Sequence, residues 1–393
     1  MMKSEKFILE TPYGTRDLLP RDAAEMRHME DMLSRLFRSW GYDEVITPTI
    51  EHLETLVPRI PEENSLFMLL GNKNKLLALR NEMTTPIARL VSSRLKDAPV
   101  PLKLSYLGNV FRVEQTQMGR QCEFHQAGVE LMGSETPASD AEIISLAIES
   151  VLTCGIKDFQ IHIGQVDFLD GMLAYYEVGD EQSKELKSAI ECHDIVLMNQ
   201  LIDTLPLSAR DKETLKALPL LNGREDLLKR LYGFSLNTQS LSAVDNLAEI
   251  YALIKSYGYK DYVCFDLGTI RDFNYYTGMV FEGYSIGLGF PLCGGGRYDH
   301  LLTEYGNPMP ATGFALGMER ILLALMRQGG QIPPASKHVY VGYTDASINE
   351  AIRRATELRR QGKVAEIGMK GQSYEEAEQS REARGYELLE YFG

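Results

Sequence analysis

Between residues 22 and 40, apolar side chains fall at Met29, Leu33, Leu36, Phe37 and Trp40, the spacing of one face of an amphipathic helix. Pro20 stands just before this run and Gly41 just after it, a start and a stop signal. The next stretch, EVITPTIE, reads as a short strand whose Pro48 has no N–H for a ladder, which suits a sheet edge or an interface. KLLALRNEMT, PLKLSYLGNVFRVE and HQAGVELMG supply further strands, and a helix is predicted over residues 140–154. Turns such as MGRQ and MGSE separate these segments, so the sheet is expected to be largely antiparallel.

The pattern changes over residues 177–257, where helical segments rich in Leu, Lys and Glu predict a helical insertion. Strands return with DYVCFDLG, NYYTGMVFEGY and GFPLCGGGRYD, and a helix begins near Gly317 with Ile321, Leu322, Leu325 and Met326 on its buried side. RQGGQIPPAS is a turn-rich linker. Beyond it, HVYVGY, NEAIRRATELRRQG, KVAEIG, SYEEAEQSREARG and YELLEYF alternate strand and helix, which predicts a small parallel βαβαβ unit. The expected organisation is a core over residues 1–330 carrying the insertion, then a short C-terminal domain over 337–393.

With 393 residues, 44% of them hydrophobic and 24% charged, the chain has the composition of a soluble globular protein of more than one domain. The net charge of -14 offers no general attraction to nucleic acid or an anionic membrane. No apolar run reaches the ~20 residues of a membrane span, and the first residues have no signal-peptide core. Cys122, Cys154, Cys192, Cys264 and Cys293 are scattered without a CxxC pair, which predicts buried thiols rather than a disulfide frame or a metal site. A cytoplasmic protein is the simplest expectation.

Polar positions stand out against this background. On strands, alternate residues share a face, so Arg112 pairs with Glu114, and Gln126 with Glu130; the same rule puts Arg80, Glu82 and Thr84 on one face, which a solvated sheet surface would equally explain. Tyr276 and Asn274 share a face behind Arg271, or pack in a core. GGGRYDHL lacks the lysine of a Walker loop and the spacing of a dinucleotide fingerprint, so by itself it reads as a tight turn rather than a phosphate cradle. His125 reads as structural. No Ser/His/Asp or Cys/His arrangement is visible, and the seven histidines are dispersed.

In their order along the chain, these stations resemble the catalytic core of histidyl-tRNA synthetase over roughly residues 8–330. TPYGTRDLLP resembles the family's opening, GYDEVITPTIE its motif 1, FRVEQTQMGRQCEFHQAGVE its motif 2 and GFALGMER its motif 3; RDFNYYTG and GGGRYD resemble its two histidine signatures. The resemblance implies an α+β fold: a class II synthetase-like antiparallel sheet flanked by helices, with a helical insertion, a small C-terminal α/β domain, and dimerisation through motif 1. It implies a histidine pocket in which Glu82, Thr84 and Gln126 hold the α-amino group and Glu130 and Tyr276, beside Tyr275, read the imidazole. Arg271 would lie by the carboxylate. Arg112 and Arg320 match arginines that grip ATP, and Arg112 also belongs to the face expected to bind histidine. Arg120 and Arg320 would mark a vestigial nucleotide site.

Departures from the synthetase pattern point away from adenylation. Where that pattern reads GRYRQ, this chain has Cys122 in place of an arginine and Glu123 in place of a glutamine; Asp272 adds charge beside Arg271; Asn81 and Met83 replace proline and glycine. Residues 336–393 hold nine Lys/Arg and ten Asp/Glu, a shortened, non-basic counterpart of an RNA-binding domain. Together these features resemble the synthetase's paralogue, the regulatory subunits of ATP phosphoribosyltransferase. That resemblance implies no catalytic residues, cofactor or metal of its own, and no bound nucleic acid or membrane. It implies instead a homodimer within a hetero-oligomer with a short-form catalytic subunit, L-histidine as ligand, and feedback control of the first step of histidine biosynthesis. A histidyl-tRNA synthetase with a shortened tail is the alternative.

Overall fold

The computed structural model describes residues 9–56, 66–113, 121–269, 275–332 and 336–393. Glu114, Arg120, Arg271, Asp272 and Asn274 lie outside them. In chain order the strands are β1 (Asp43–Glu44), β2 (Ile50–His52), β3 (Met68–Leu70), β4 (Leu76–Leu79), β5 (Leu102–Phe111), β6 (Glu123–Met132), β7 (Phe159–Gln165), β8 (Asn222–Gly223), β9 (Val263–Asp266), β10 (Met279–Ser285), β11 (Cys293–Arg297), β12 (Ala311–Gly317), β13 (Val339–Tyr343), β14 (Ala365–Ile367) and β15 (Leu388–Phe392).

The chain divides into two compact units, one of Met1–Leu19 and Met26–Gln331, the other of Pro20–Glu25 and Ile332–Gly393. The larger unit is built on a nine-stranded sheet of order β1-β5-β6-β12-β11-β10-β7-β9-β8. Its central pairings are antiparallel; β1 with β5 and β7 with β9 are parallel. The longest pairing joins β5 and β6 from Leu102 opposite Met132 to Phe111 opposite Glu123, so the two strands form a long rigid floor. Helix Pro137–Thr153 buries Ile143, Ile144, Leu146, Ala147, Ile148 and Val151, and the twenty-residue helix Thr238–Tyr257 packs against it. The helices Asp180–Glu191, Ile195–Thr204, Ala209–Ala217 and Glu225–Phe234 fall in the segment predicted as a helical insertion.

Several local expectations are corrected. The first helix is Pro20–Ser39 and buries Met26, Met29, Leu33, Leu36 and Phe37; Trp40 follows it and stacks on Tyr257, centroids 5.5 Å apart. EVITPTIE is two strands, not one. β1 joins the large sheet while β2 joins a separate antiparallel sheet of order β2-β4-β3, and Pro48, with no N–H to donate, lies in the break between them. The strand in KLLALRNEMT stops at Leu79 and helix Thr84–Arg94 begins five residues later, so alternation does not govern residues 80–84. Tyr275 and Tyr276 precede β10 rather than lying on a strand. In helix Met318–Arg327, Met326 is exposed, the other side from Ile321 and Leu325.

The smaller unit is a three-stranded parallel sheet of order β14-β13-β15. Helix Ile348–Arg360 buries Ala351, Ala355 and Leu358 with Val339, Val341 and Tyr343. Helix Tyr374–Arg384 is closed at its start by a reciprocal capping box between Ser373 and Glu376, and at its end by Gly385 with φ 72°.

A cleft lined by acidic and aromatic side chains

The cleft is walled by the entry to helix Thr84–Arg94, by β5, β6, β11 and β12, and by the turn before β10. It encloses about 540 Å³ and is lined by Glu82, Thr84, Arg112, Gln126, Glu130, Tyr275, Tyr276 and Arg320. Every candidate site residue that is described therefore reaches one cavity; Arg120 and Arg271 lie outside the described residues.

Each is placed by a definite piece of local physics. Glu82 caps the helix: Thr84 N–H donates to its Oε2 at 2.5 Å and Thr85 N–H to its Oε1 at 2.8 Å. Thr84 then turns its hydroxyl across the cleft and donates to Glu130 Oε1 at 2.7 Å. On β6, Phe124, Gln126 and Glu130 line the cleft by alternation, as expected. Glu130 is only 1% exposed, and its Oε2 accepts from the Tyr298 hydroxyl. Gln126 Oε1 is buried without a hydrogen-bond partner among the described residues, an acceptor that a donor on a ligand could satisfy.

Arg112 donates from Nε to Asn81 O at 2.9 Å and lies over the Phe124 ring, 5.3 Å from its centroid. Arg320, exposed at the rim, donates to Pro291 O at 2.9 Å and lies 5.3 Å from the Phe290 ring centroid. The tyrosines form a stack: Tyr275 on Tyr298 at 4.9 Å and 18°, with Tyr276 tilted against Tyr275 at 4.6 Å. Burial and the nearby Glu130 carboxylate push the Tyr106 and Tyr298 phenols well above their ordinary range, so both stay protonated.

Arg80 does not share the face of Glu82 and Thr84. It is buried and donates to Asn109 O and Thr47 O, each at 2.8 Å, tying motif 1 to β5. In GGGRYD, Arg297 is also structural: its guanidinium pairs with Asp140 of helix Pro137–Thr153 through Nε at 3.1 Å and Nη2 at 2.8 Å. The glycines of that motif are not a turn but lie on β11, where Gly294 and Gly295 line the cleft. They are the cleft floor, where a Cβ on Gly295 would meet the Gly313 carbonyl at 2.2 Å. Cys122 is buried, its N–H donating to Gly14 O at 2.7 Å. A Cβ on Gly14 would fall 2.3 Å from its Sγ, so the position opposite the synthetase's arginine is packed beneath the N-terminal segment.

Glu123 points away from Phe124 and Gln126; Asn109 Nδ2 donates to its Oε1 at 2.8 Å. It is not among the residues that line the cleft. His125, on the same side, has its ring Nδ1 2.8 Å from Glu319 Oε1, and that contact raises its pKa. It is structural, as expected. No sequence signal singled out Tyr106, Tyr298 or Glu191 as lining residues. Tyr298 is the tyrosine of GGGRYD.

Residues 14–321 match the family model described as Histidyl-tRNA synthetase. Crystal coordinates of histidyl-tRNA synthetase from Nostoc sp. PCC 7120 superpose with a TM-score of 0.84 over 97% of this chain and 90% of that one, at 24% identity. The fold is thus of the class II, histidyl-tRNA synthetase-like kind. Among curated relatives, the ATP phosphoribosyltransferase regulatory subunit of Moorella thermoacetica is 42% identical over 97% of each chain. That of Desulforamulus reducens is 41% identical over 92% of this chain and 90% of its own. A solved structure described as an ATP phosphoribosyltransferase regulatory subunit/histidyl-tRNA synthetase from Bacillus halodurans C has a TM-score of 0.89 and 33% identity, covering 99% of this chain and 100% of that one. This chain belongs to the ATP phosphoribosyltransferase regulatory subunits, the histidyl-tRNA synthetase-like paralogues of histidine biosynthesis.

Proposed function

We propose that the cleft binds L-histidine as a signal rather than as a substrate, within a complex with a short-form ATP phosphoribosyltransferase catalytic subunit. The observation that carries this reading is the acceptor set facing one cavity: the carboxylates of Glu82 and Glu130, and Gln126 Oε1, which has no partner among the described residues. Such a set suits a ligand bearing an ammonium group and a ring N–H. Aromatic walls from Phe124, Tyr275 and Tyr276 suit a flat ring between them. Cys122, packed under Gly14 where the synthetase pattern has an arginine, supports binding without adenylation. Histidine regulates such a complex only by favouring one arrangement over another, since equal affinity for both shifts nothing.

The larger unit also exposes Ile46, Ile50, Met68, Leu70 and Leu76 in and beside the β2-β4-β3 sheet. An apolar surface of this kind supports a homodimer as the core of the hetero-oligomer. No helix among the described residues is long and apolar enough to cross a membrane.

The test is calorimetry and turnover together. Histidine should bind at roughly micromolar level, about −8 kcal/mol, and Glu130→Gln should weaken it. Added to a short catalytic subunit, the wild-type chain should restore activity and histidine sensitivity. Equal affinity in the wild type and Glu130→Gln sinks the pocket assignment. Histidine-dependent exchange of pyrophosphate into ATP by the isolated chain establishes the synthetase reading instead.

A further inference from the structure

The Glu130 carboxylate is held at both oxygens by donors from different parts of the fold. Thr84, at the start of a helix, donates to Oε1 at 2.7 Å. Tyr298, immediately after β11, donates to Oε2. Behind the carboxylate, a Cβ on Gly313 would lie 2.0 Å from Oε2, so the group occupies the space that glycine leaves. Tyr298 is itself fixed: it is 2% exposed, its N–H donates to Ala311 O at 2.8 Å, and its ring stacks on Tyr275. The terminal torsion of a glutamate is broad and loosely held by sterics. Two donors on separate elements remove that freedom.

We propose that Tyr298 is a positioning residue of this site, orienting the Glu130 carboxylate so that it meets a ring N–H in one plane. The proposal rests on the reading that the cleft takes histidine. Tyr298 acts through Glu130 and joins it to Tyr275 and Tyr276, so carboxylate and aromatic wall move as one body. Because burial and Glu130 keep the phenol protonated, it remains a donor at neutral pH.

The experiment is a double-mutant cycle on the full chain, with histidine affinity read by calorimetry and folding by thermal melting. Tyr298→Phe keeps the ring and its stack and removes only the hydroxyl. It should weaken histidine by about tenfold or more, the range for a hydrogen bond to a charged group. Added to Glu130→Gln, the same change should cost little further, because its route of action is gone. Should Tyr298→Phe alone fail to fold, Glu130→Gln and the double variant, in which no carboxylate loses its donor, must still bind histidine equally. Additive losses, or a double variant weaker than Glu130→Gln, overturn the positioning role and leave Tyr298 as packing. Wild-type binding that Glu130→Gln weakens and Tyr298→Phe does not overturns the role of Tyr298 alone. No histidine binding by the wild type overturns both this inference and the ligand reading beneath it.

Discussion

Glu82 caps the helix that Thr84 opens: its two carboxylate oxygens accept the N–H groups of Thr84 and Thr85. The first N–H groups of a helix have no partner within it and carry partial positive charge, so an anion there satisfies both needs. Glu82→Ala is therefore expected to lower stability by about 1–2 kcal/mol as well as to weaken histidine. Urea unfolding monitored by circular dichroism decides it; an unchanged midpoint means that the cap contributes nothing.

Gly313 sets the depth of the cleft. A Cβ there would lie 2.0 Å from Glu130 Oε2 and 2.5 Å from Val129 O, and backbone cannot give way as a side chain can. Gly313→Ala should push the Glu130 carboxylate off its Thr84 and Tyr298 donors and cost about 1–3 kcal/mol of stability. Histidine binding should be lost in the same variant. Retained affinity in a folded Gly313→Ala protein would show that the carboxylate's placement is not what recognises the ligand.

His162 and Asp266 form a second electrostatic pair, on β7 and β9, with ring Nδ1 3.1 Å from Oδ2. Hydrogen bonds that the His162 ring makes to Asp266 first, then to Cys264, raise its pKa to about 10, against about 6.5 in an unfolded chain. A raised histidine stabilises the fold fully below the unfolded value, and that contribution fades as pH climbs through the folded one. Asp266→Asn should thus be most destabilising near pH 6, with its gap from wild type closing as pH rises from about 6.5 to about 10. Denaturation midpoints of both proteins across that range provide the check; a gap that widens with pH would contradict the pairing.

Residues 336–393 carry nine Lys/Arg against ten Asp/Glu, so the small unit has no net positive charge to attract RNA. Its helix Tyr374–Arg384 opens with Glu375 and Glu376, and Arg354 and Arg381 are engaged by Glu390 and Glu378. The chain should show only non-specific, salt-sensitive association with histidine tRNA. Filter binding across a salt series tests this, and a salt-resistant complex specific for that tRNA would overturn it.

Much of this was legible in the order of residues because it depends on short-range rules. The βαβαβ tail follows from apolar runs separated by capped amphipathic helices, and the placement of Gln126 and Glu130 on one cleft wall follows from strand alternation alone. Motif order then pointed to the family. What failed did so where tertiary contacts outweigh period. Arg80, Glu82 and Thr84 looked like one strand face, but the N–H groups of a starting helix claimed Glu82, and the carbonyls of Thr47 and Asn109 claimed Arg80. Glu123 looked like an anion in the nucleotide site, and one step of alternation turned it to Asn109 instead. Tyr298 could not be paired with Glu130 from the sequence, since 168 positions separate them. Only the pairing of β6 with β12 and of β12 with β11 brings the two side chains together.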